Sequence, residues 1–357
     1  DGEEVLGARY TADTDKTELL PQYQTAMSQL RAKFANYDVD LVDQDDDGSR
    51  LLVRISGPSE PGGLFLFDEG DPNPQQLSVM YNGLQSPQMG KVIATSYAAR
   101  DGQTIPAYVT LPVGMASMAQ AKNIPFIVLP HGGPYGRDAK RFDWYAQFFA
   151  TRGYGVLQMN FRGSEGYGKS FADAGRDNWV VMQEDVQDGT RWLYNQGYAD
   201  KSKTCIAGWS YGGYAALMGA AKDTEGKYNC VLAMAALTDI DKARSDLLRY
   251  RGNKKAADEF FGEALSSGKV RDANSPTKVA QNIKVPVFLA HAEGDQNVQF
   301  EQFELMQKAL KKARVKGTYL TWEDDDHFLS KQANRQEFVV EMEKFLNKVN
   351  GPSPYMK

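Results

Sequence analysis

The most informative segment of this chain reads Gly208-Trp209-Ser210-Tyr211-Gly212 and has the pattern G-x-S-x-G. The apolar run 205–207 leads directly into it, and a series of small residues follows it. This order predicts a strand, a sharp turn and a helix, which together lift the serine oxygen clear of a sheet. Glycine flanks the serine because a side chain at either position would collide within so tight a turn. We therefore interpret Ser210 as a nucleophile.

A serine hydroxyl becomes a good nucleophile when a base removes its proton, and the chain has three histidines. His131 precedes Ser210, and His291 ends a predicted strand. Enzymes built around this kind of turn carry the serine, then an acid, then the histidine along the chain. His327 leaves room for an acid after Ser210, so we predict that His327 is the base.

The acid that orients the base belongs in the loop after the next-to-last strand. Asp295 lies four residues past the apolar run 286–291, and Glu293 is the nearest alternative. The acids at 324–326 are too close to His327 in sequence to fold back easily onto its ring. We expect those three acids in a solvated turn, and we predict that Asp295 orients the base.

Two backbone donors are needed to hold the negative oxygen that forms during acyl transfer. One is the N–H of Tyr211, the residue after the nucleophile. The other belongs in the loop after an early strand, which is occupied by His131-Gly132-Gly133-Pro134. Bare glycine backbone lets an N–H approach a substrate closely. We predict that Gly133 supplies the second donor.

From residue 89 to residue 351 the chain alternates between short apolar runs and amphipathic segments. Apolar runs of strand length lie at 92–98, 105–111, 124–129, 154–160, 204–207, 231–236, 285–290 and 318–322. Helical patterns lie at 142–151, 181–194, 211–222 and 300–313, and a final helix carries residues 338, 342, 345 and 349 on one face. Such alternation predicts an α/β class domain, with a mostly parallel twisted sheet and helices on both faces. Together with the Ser210 turn, it indicates an α/β-hydrolase fold.

Residues 1–88 have a different pattern. Short strands are predicted at 50–55 and 64–67, and one helix at 21–34. Two or three short strands do not bury a core by themselves, so this piece is interpreted as a small β-rich remnant of a larger structure. Residues 352–357 are interpreted as a tail. An acidic turn at 43–48 imitates the start of a calcium loop, but Arg54 stands where that loop needs a glutamate.

The bulk composition excludes several classes of protein. A net charge of −5, spread along the chain, argues against a nucleic-acid binder. The longest apolar runs are strand-sized and fall well short of the roughly 20 residues that a membrane helix needs. We find no metal-ligand spacing and expect no cofactor. The sequence predicts a soluble globular protein and leaves a homo-oligomer open.

The two cysteines, Cys205 and Cys230, lie in predicted strands that flank one helix. Neighbouring parallel strands would allow a disulfide, while two buried free thiols are the other reading. A disulfide would favour an exported or periplasmic protein, and free thiols a cytoplasmic one. The chain starts at Asp1 and not at Met, so its beginning does not indicate a compartment.

As a set, these motifs resemble the prolyl oligopeptidase superfamily of serine peptidases, especially its acylaminoacyl-peptidase-like and dipeptidyl-peptidase-like members. The resemblance runs from about Lys91 to the C-terminus. The matching segments are Arg100-Asp101-Gly102, His131-Gly132-Gly133-Pro134, Asn160-Phe161-Arg162-Gly163-Ser164, Gly166-Tyr167-Gly168, Gly208 to Tyr214, Gly294-Asp295 and Asn297-Val298. The resemblance implies that residues 1–88 are the end of a β-propeller and its connection to the hydrolase domain.

The resemblance also implies a function. Ser210, Asp295 and His327 fall on the family's triad, while Gly133 and Tyr211 fall on its oxyanion positions. It implies a serine peptidase that hydrolyses short peptides through an acyl-enzyme; the alternative is a carboxylesterase of broad acyl specificity.

Residues of the substrate pocket are implied as well. Asn297 falls where dipeptidyl-type members hold a substrate carbonyl, although it is equally well explained as a turn residue. Leu237, Ile240 and Val298 are expected to line the pocket. The stretch 237–240 lacks the Trp and Tyr of proline-selective members, so an aliphatic pocket is expected.

Overall fold

The computed structural model describes residues 7–356, apart from 12–13, 20–23, 47, 69–70, 72, 85–87, 252–253, 263–264 and 266. Its largest sheet has eight strands, and every strand predicted from residue 92 onward belongs to it. In chain order these strands are β7 (Val92–Ala98), β8 (Thr104–Thr110), β9 (Ile124–Val128), β10 (Gly155–Met159), β11 (Ala199–Trp209), β12 (Cys230–Met234), β13 (Val287–Ala292) and β14 (Gly317–Trp322).

The strands lie in the order β14-β13-β12-β11-β9-β10-β8-β7. The pairs from β14 to β10 are parallel, while β8 and β7 join antiparallel at one edge. Strands β9, β10, β12 and β13 are wholly buried, and β11 is buried from Thr204 to Gly208, because helices cover both faces. This topology is the α/β-hydrolase arrangement predicted from the sequence, and it brings the carboxyl ends of the parallel strands to one edge.

Two hydrophobic cores fill the two faces of this sheet. The first lies beneath α4 (Trp179–Asn195), α5 (Tyr211–Ala221) and α10 (Glu301–Lys312). The second lies beneath α2 (Trp144–Thr151) and α11 (Gln332–Asn350). The predicted helices match these five closely, and Phe338, Met342 and Phe345 of α11 point into the second core as expected.

Several elements lie outside the predicted set. One helix, α3 (Lys169–Asp177), precedes α4. Between β12 and β13 the chain forms four more helices, named α6 (Ile240–Arg251), α7 (Lys254–Phe261), α8 (Gly268–Ala273) and α9 (Pro276–Val279). Most of these segments are short and rich in charge, so no long apolar stripe marks them in the sequence.

The N-terminal part forms its own small layered unit. Four antiparallel strands pair in order, namely β3 (Asp38–Gln44), β4 (Arg50–Gly57), β5 (Glu60–Asp68) and β6 (Gln75–Val79). Before them lie the pair β1 (Gly7–Thr11) and β2 (Asp15–Leu19) and the helix α1 (Gln24–Lys33). The predicted helix 21–34 corresponds to α1, and residues 21–23 lie outside the described residues.

A small core holds this unit together. Met27 and Leu30 of α1 pack on Val39, Val53 and Phe67 of the sheet. The sequence pattern predicts the helix and the strands β4 and β5 but not β3 and β6, so a helix covering one face of a four-stranded sheet was not foreseen.

Contacts tie the N-terminal unit and the tail to the large sheet. The Gln147 side chain accepts from the Gly90 N–H at 2.7 Å and donates to the Gly90 carbonyl at 2.9 Å and the Pro58 carbonyl at 3.2 Å. At the other end, Ser353 is buried and its hydroxyl donates to the Gly153 carbonyl at 3.0 Å.

Cys205 and Cys230 face each other directly across the β11–β12 pair and are joined by a disulfide. Both side chains are fully buried. No helix within the described part of the chain is long and apolar enough to span a membrane.

Candidate active site

Ser210 occupies the turn between β11 and α5, at the carboxyl edge of the sheet. Its backbone lies at φ 60° and ψ −122°, a left-handed region that residues with a side chain rarely adopt. Non-glycine residues in such conformations cost roughly 1–3 kcal/mol each and cluster at functional sites. The turn is thus the strained serine elbow that the sequence pattern predicts.

The two glycines of the elbow are required by their surroundings. A Cβ at Gly208 would lie 2.1 Å from the carbonyl carbon and oxygen of Gly212. A Cβ at Gly212 would lie 2.2 Å from the carbonyl oxygen of Pro130, which follows β9. Both contacts involve backbone, which has little room to move. This explains the G-x-S-x-G spacing physically.

His327 lies in the loop after β14, and its Nδ1 lies 2.7 Å from Oδ2 of Asp295. Asp295 is buried, and its Oδ1 accepts the backbone N–H groups of Asn297 and Val298 at 2.8 and 2.9 Å. Glu293, the alternative acid, is exposed. The structure therefore brings Asp295 and His327 together, as the chain order predicted.

A second histidine contacts the same carboxylate. Nε2 of His291 lies 3.2 Å from Oδ2 of Asp295 and 2.9 Å from the Val298 carbonyl oxygen. Both neighbours are acceptors, so Nε2 carries the proton. Burial opposes the ionisation of Asp295, but hydrogen bonds from His291 and His327 outweigh it and hold the Asp295 pKa well below its usual value.

His291 had no predicted role beside Asp295. The signal was present in the spacing, since His291 is the next-to-last residue of β13 and stands four residues before Asp295. A tight turn after a strand brings two such positions into contact.

The prediction that the acids at 324–326, next to His327, form a solvated turn was only partly correct. Asp324 is exposed, but Asp325 is buried and accepts from the Asn334 side chain at 2.9 Å. The expectation of a wholly solvated turn was wrong for Asp325. Its carboxylate instead ties the His327 loop to the first turns of α11.

The glycine loop 131–134 lies against the elbow. A Cβ at Gly132 would lie 3.3 Å from the Trp209 carbonyl oxygen and 3.6 Å from Cβ of Ser210. Gly133 has φ +123°, in the left-handed region that favours glycine. Gly132, Gly133, Ser210 and Tyr211 all line one cavity, so the predicted oxyanion donors lie in the neighbourhood of the nucleophile.

His131 anchors this loop. Its ring stacks on Phe161 at 4.2 Å, its Nδ1 lies 2.8 Å from the Gly132 carbonyl oxygen, and its Nε2 lies 2.8 Å from the Ser164 hydroxyl. Burial lowers the pKa of His131 to about 4, despite the opposing hydrogen bond to Gly132. His131 is therefore neutral at pH 7, and both of its nitrogens already have partners.

A cavity of about 830 Å³ opens at the elbow and is lined by Ser210 and His327. Of the predicted pocket residues, Leu237, Asn297 and Val298 also line it. Ile240 does not line it, so the prediction that Ile240 belongs to the pocket was wrong. Ile240 is fully buried at the start of α6 and packs in the first core.

The walls of the cavity are more aromatic than expected. Trp179 from α4, Tyr211 from α5, and Phe260 and Phe261 from α7 line it beside Leu247. The prediction of an aliphatic pocket was wrong because it considered only the segment after β12. Helices α4 and α7 supply the aromatic rings from other parts of the chain.

Comparison with known proteins places these observations in a family. The sequence profile of the prolyl oligopeptidase family matches residues 140–353, more than half of the chain. Over 307 residues the chain is 28% identical to dipeptidyl aminopeptidase BIII of Pseudoxanthomonas mexicana, covering 84% of this chain and 44% of that protein. It is 25% identical to the acylamino-acid-releasing enzyme of Sus scrofa over 85% of this chain and 42% of that enzyme.

Solved structures agree in fold. A puromycin-hydrolyzing peptidase of Mycobacterium tuberculosis superposes with a TM-score of 0.75 at 23% identity, covering 85% of this chain and 46% of that one. The acylaminoacyl peptidase of Pyrococcus horikoshii gives a TM-score of 0.71 at 21% identity, covering 88% and 50%. The chain spans about half the length of the curated relatives it matches. The predicted resemblance is confirmed, and the chain belongs to the prolyl oligopeptidase family.

Proposed function

We propose that this chain carries the catalytic part of a serine peptidase that hydrolyses short peptides through an acyl-enzyme. The observation that supports it most directly is the 2.7 Å contact between Asp295 and His327 beside the cavity that Ser210 lines. Three of the four relatives named above are peptidases by name, and the alternative of a carboxylesterase is not favoured.

In the proposed reaction, the Ser210 oxygen attacks the scissile carbonyl while His327 takes the hydroxyl proton. Asp295 holds the imidazole in the tautomer that leaves Nε2 free to accept, because Nδ1 donates to its carboxylate. Backbone N–H groups of Tyr211 and Gly133 hold the oxygen that becomes negative. His327 then gives its proton to the leaving amine, and water repeats the sequence on the acyl-enzyme.

One wall of the cavity, which would hold the acyl half of the substrate, indicates what kind of side chain precedes the scissile bond. Tyr211 adjoins the nucleophile, and Trp179 packs edge-on against it at 5.2 Å. Phe261 lies 5.5 Å from Trp179, and Leu247 lines the same cavity. An aromatic and aliphatic wall favours a large apolar side chain, since burying one stabilises binding by about 1.5–3 kcal/mol.

We also propose a division of the chain. Residues 1–88 would be the end of a β-propeller and the connecting segment, residues 89–351 the hydrolase domain, and residues 352–357 a tail. The four-stranded antiparallel sheet of β3 to β6 supports this, because propeller blades have that form. A propeller over the cavity would restrict access to short peptides.

The disulfide bears on the compartment in which the protein works. Cys205 and Cys230 are bonded, and disulfides persist in oxidising environments. We propose an exported or periplasmic protein. Thiol labelling of the denatured protein, purified without reductant from its natural host, would find no free cysteine; two labelled cysteines would contradict this.

The experiment that tests the function compares peptide anilides with simple alkyl esters. The expected result is turnover of anilides ending in phenylalanine or leucine, faster than of those ending in glycine, together with labelling by a fluorophosphonate. The matched control is Ser210→Ala, in which both turnover and labelling disappear. Turnover of esters with none of any peptide anilide would instead support a carboxylesterase.

A further inference from the structure

The cavity at the elbow has a second aromatic wall that the acyl side does not use. Phe328, Trp144 and Trp209 line the cavity together with His327. Phe328 is 65% exposed, the most exposed large hydrophobic side chain among the described residues. An apolar ring presented to solvent directly beside a catalytic histidine calls for a functional explanation.

The two aromatic walls lie on opposite faces of the large sheet. Trp179, Tyr211 and Phe261 belong to the first core, whereas Trp144 and Trp209 pack against the second. Ser210 stands at the carboxyl edge of β11, between these faces. The cavity therefore crosses the sheet edge, with one wall on each side of the nucleophile.

The chemistry of the proposed reaction assigns each wall to one half of the substrate. His327 must hand its proton to the leaving amine, so the leaving group lies on the side of His327. Phe328 follows His327 directly, and their rings meet edge to face with centroids 5.2 Å apart. The acyl half then lies on the opposite side, toward Tyr211 and Trp179.

We propose that Phe328, Trp144 and Trp209 form a subsite for the leaving group, which selects a large apolar side chain on the residue just after the scissile bond. This inference rests on the proposed serine peptidase function and names one part of its substrate. Trp144 and Trp209 support each other edge to face at 6.2 Å, which gives the subsite a fixed wall. Phe328 supplies the exposed rim.

Acyl transfer to added amines tests the subsite directly. An amine attacks the acyl carbonyl, a C–N bond forms and the C–O bond to Ser210 breaks. The amine proton passes to His327 and then to the Ser210 oxygen. An amine that replaces water must occupy the place of the leaving group, so the ratio of aminolysis to hydrolysis measures binding in the subsite alone.

The acyl-enzyme would be formed from the methyl ester of a dipeptide ending in phenylalanine, with a free or an acetylated amino terminus. The nucleophiles would be phenylalaninamide and glycinamide. We expect phenylalaninamide to intercept the acyl-enzyme at least tenfold better than glycinamide. In Phe328→Ala the two amines should intercept the acyl-enzyme with efficiencies within about threefold of each other. Phe328→Leu should retain an intermediate preference for phenylalaninamide.

The matched control is Val340→Ala, which removes an exposed apolar side chain of α11, 47% exposed and not part of the cavity lining. This variant should leave the ratio of aminolysis to hydrolysis unchanged for both amines. An acyl-enzyme that forms but does not distinguish the two amines would overturn the subsite alone, as would an unchanged ratio in Phe328→Ala. Failure to form any acyl-enzyme would overturn the proposed function and the subsite with it.

Discussion

The indole N–H of Trp209 donates a hydrogen bond to the backbone carbonyl of His327 at 2.8 Å. The two residues are 118 positions apart in the chain, and each adjoins or belongs to the proposed catalytic trio. Trp209 precedes the nucleophile, and its ring is fixed edge to face by Phe338 at 5.6 Å. This hydrogen bond thereby attaches the loop that carries His327 to the elbow of Ser210.

Replacing that donor should loosen the base without disturbing the core. Trp209→Phe keeps an aromatic ring but leaves the His327 carbonyl without its partner. We expect kcat on a peptide anilide to fall about tenfold, since a hydrogen bond contributes about 0.5–1.5 kcal/mol. Steady-state kinetics would check this. An unchanged kcat would show that the His327 loop is held in place by its other contacts.

Replacing glycine by alanine should have opposite effects on stability at two helix positions, one in the elbow and one in α8. Gly212→Ala places a Cβ 2.2 Å from the Pro130 carbonyl oxygen, so we expect a loss of about 3 kcal/mol or more, or failure to fold. In Gly268→Ala the nearest atom is the end of the Arg271 side chain at 3.7 Å. That variant should be neutral or more stable by up to about 1 kcal/mol. Urea denaturation of both variants measures the difference, and equal stability would refute the steric explanation.

The strained backbone of Ser210 can be measured in inactive variants. Ser210→Ala and Ser210→Gly should both lose about six decades of activity. Alanine retains the unfavourable φ of 60°, whereas glycine adopts it freely. We therefore expect the glycine variant to be about 1 kcal/mol more stable than the alanine variant, despite the larger entropy of its unfolded chain. A glycine variant less stable than the alanine variant would mean that the elbow carries little strain.

His291 is expected to act as a positioning residue for Asp295. His291→Leu removes the N–H that faces the carboxylate at 3.2 Å and should lower kcat about tenfold to a hundredfold with KM nearly unchanged. His291→Gln keeps a donor and should recover part of kcat. Kinetics on one anilide distinguish this from mere loss of folding. If KM rises and kcat holds, or if both variants behave alike, the positioning role is wrong.

The half-buried His131, whose pKa is lowered mainly by loss of solvent, should make stability depend on pH. Its pKa is about 4 in the folded protein and about 6.5 in the unfolded chain, so between these values the unfolded chain binds more protons. The free energy of unfolding should therefore fall by about 3 kcal/mol as the pH drops from 6.5 to 4, and this contribution should change no further below pH 4.

The control for the pH effect is His131→Asn, which lacks the titrating ring. Denaturation at pH 7 and at pH 4.5 would show a smaller loss in this variant than in the natural protein. The same loss in both proteins would assign the acid sensitivity to other groups.

The central sheet could be predicted because its strands are short apolar runs buried on both faces, such as β9 and β13. The proposed trio of Ser210, Asp295 and His327 could be selected from the sequence because chain order restricts the choice to few residues. His327 and Asp295 are each nearly the sole candidate for their places. These inferences depend on local pattern and on order along the chain, which the sequence contains directly.

The pocket could not be predicted in the same way. Trp179 and Phe260 reach it from helices remote in sequence, one of which is rich in charge. Ile240 points away because Gln302 holds the preceding backbone: its Oε1 accepts from the N–H groups of Thr238 and Asp239 at 2.8 and 2.7 Å. A side chain from α10 thus determines the direction of the chain at α6. Such long-range contacts leave no periodic signal.

The Gln147 side chain sets a limit on how small the catalytic unit can be made. Gln147 is only 3% exposed, and its amide is satisfied by Gly90 and Pro58, both of which lie before the first strand of the large sheet. A chain cut to begin at Lys91 would leave that amide without hydrogen-bond partners. The loss would lower the free energy of unfolding by about 1–3 kcal/mol per unsatisfied group. Protein engineers seeking a minimal hydrolase would need either to keep residues 58–90 or to put an apolar side chain at position 147.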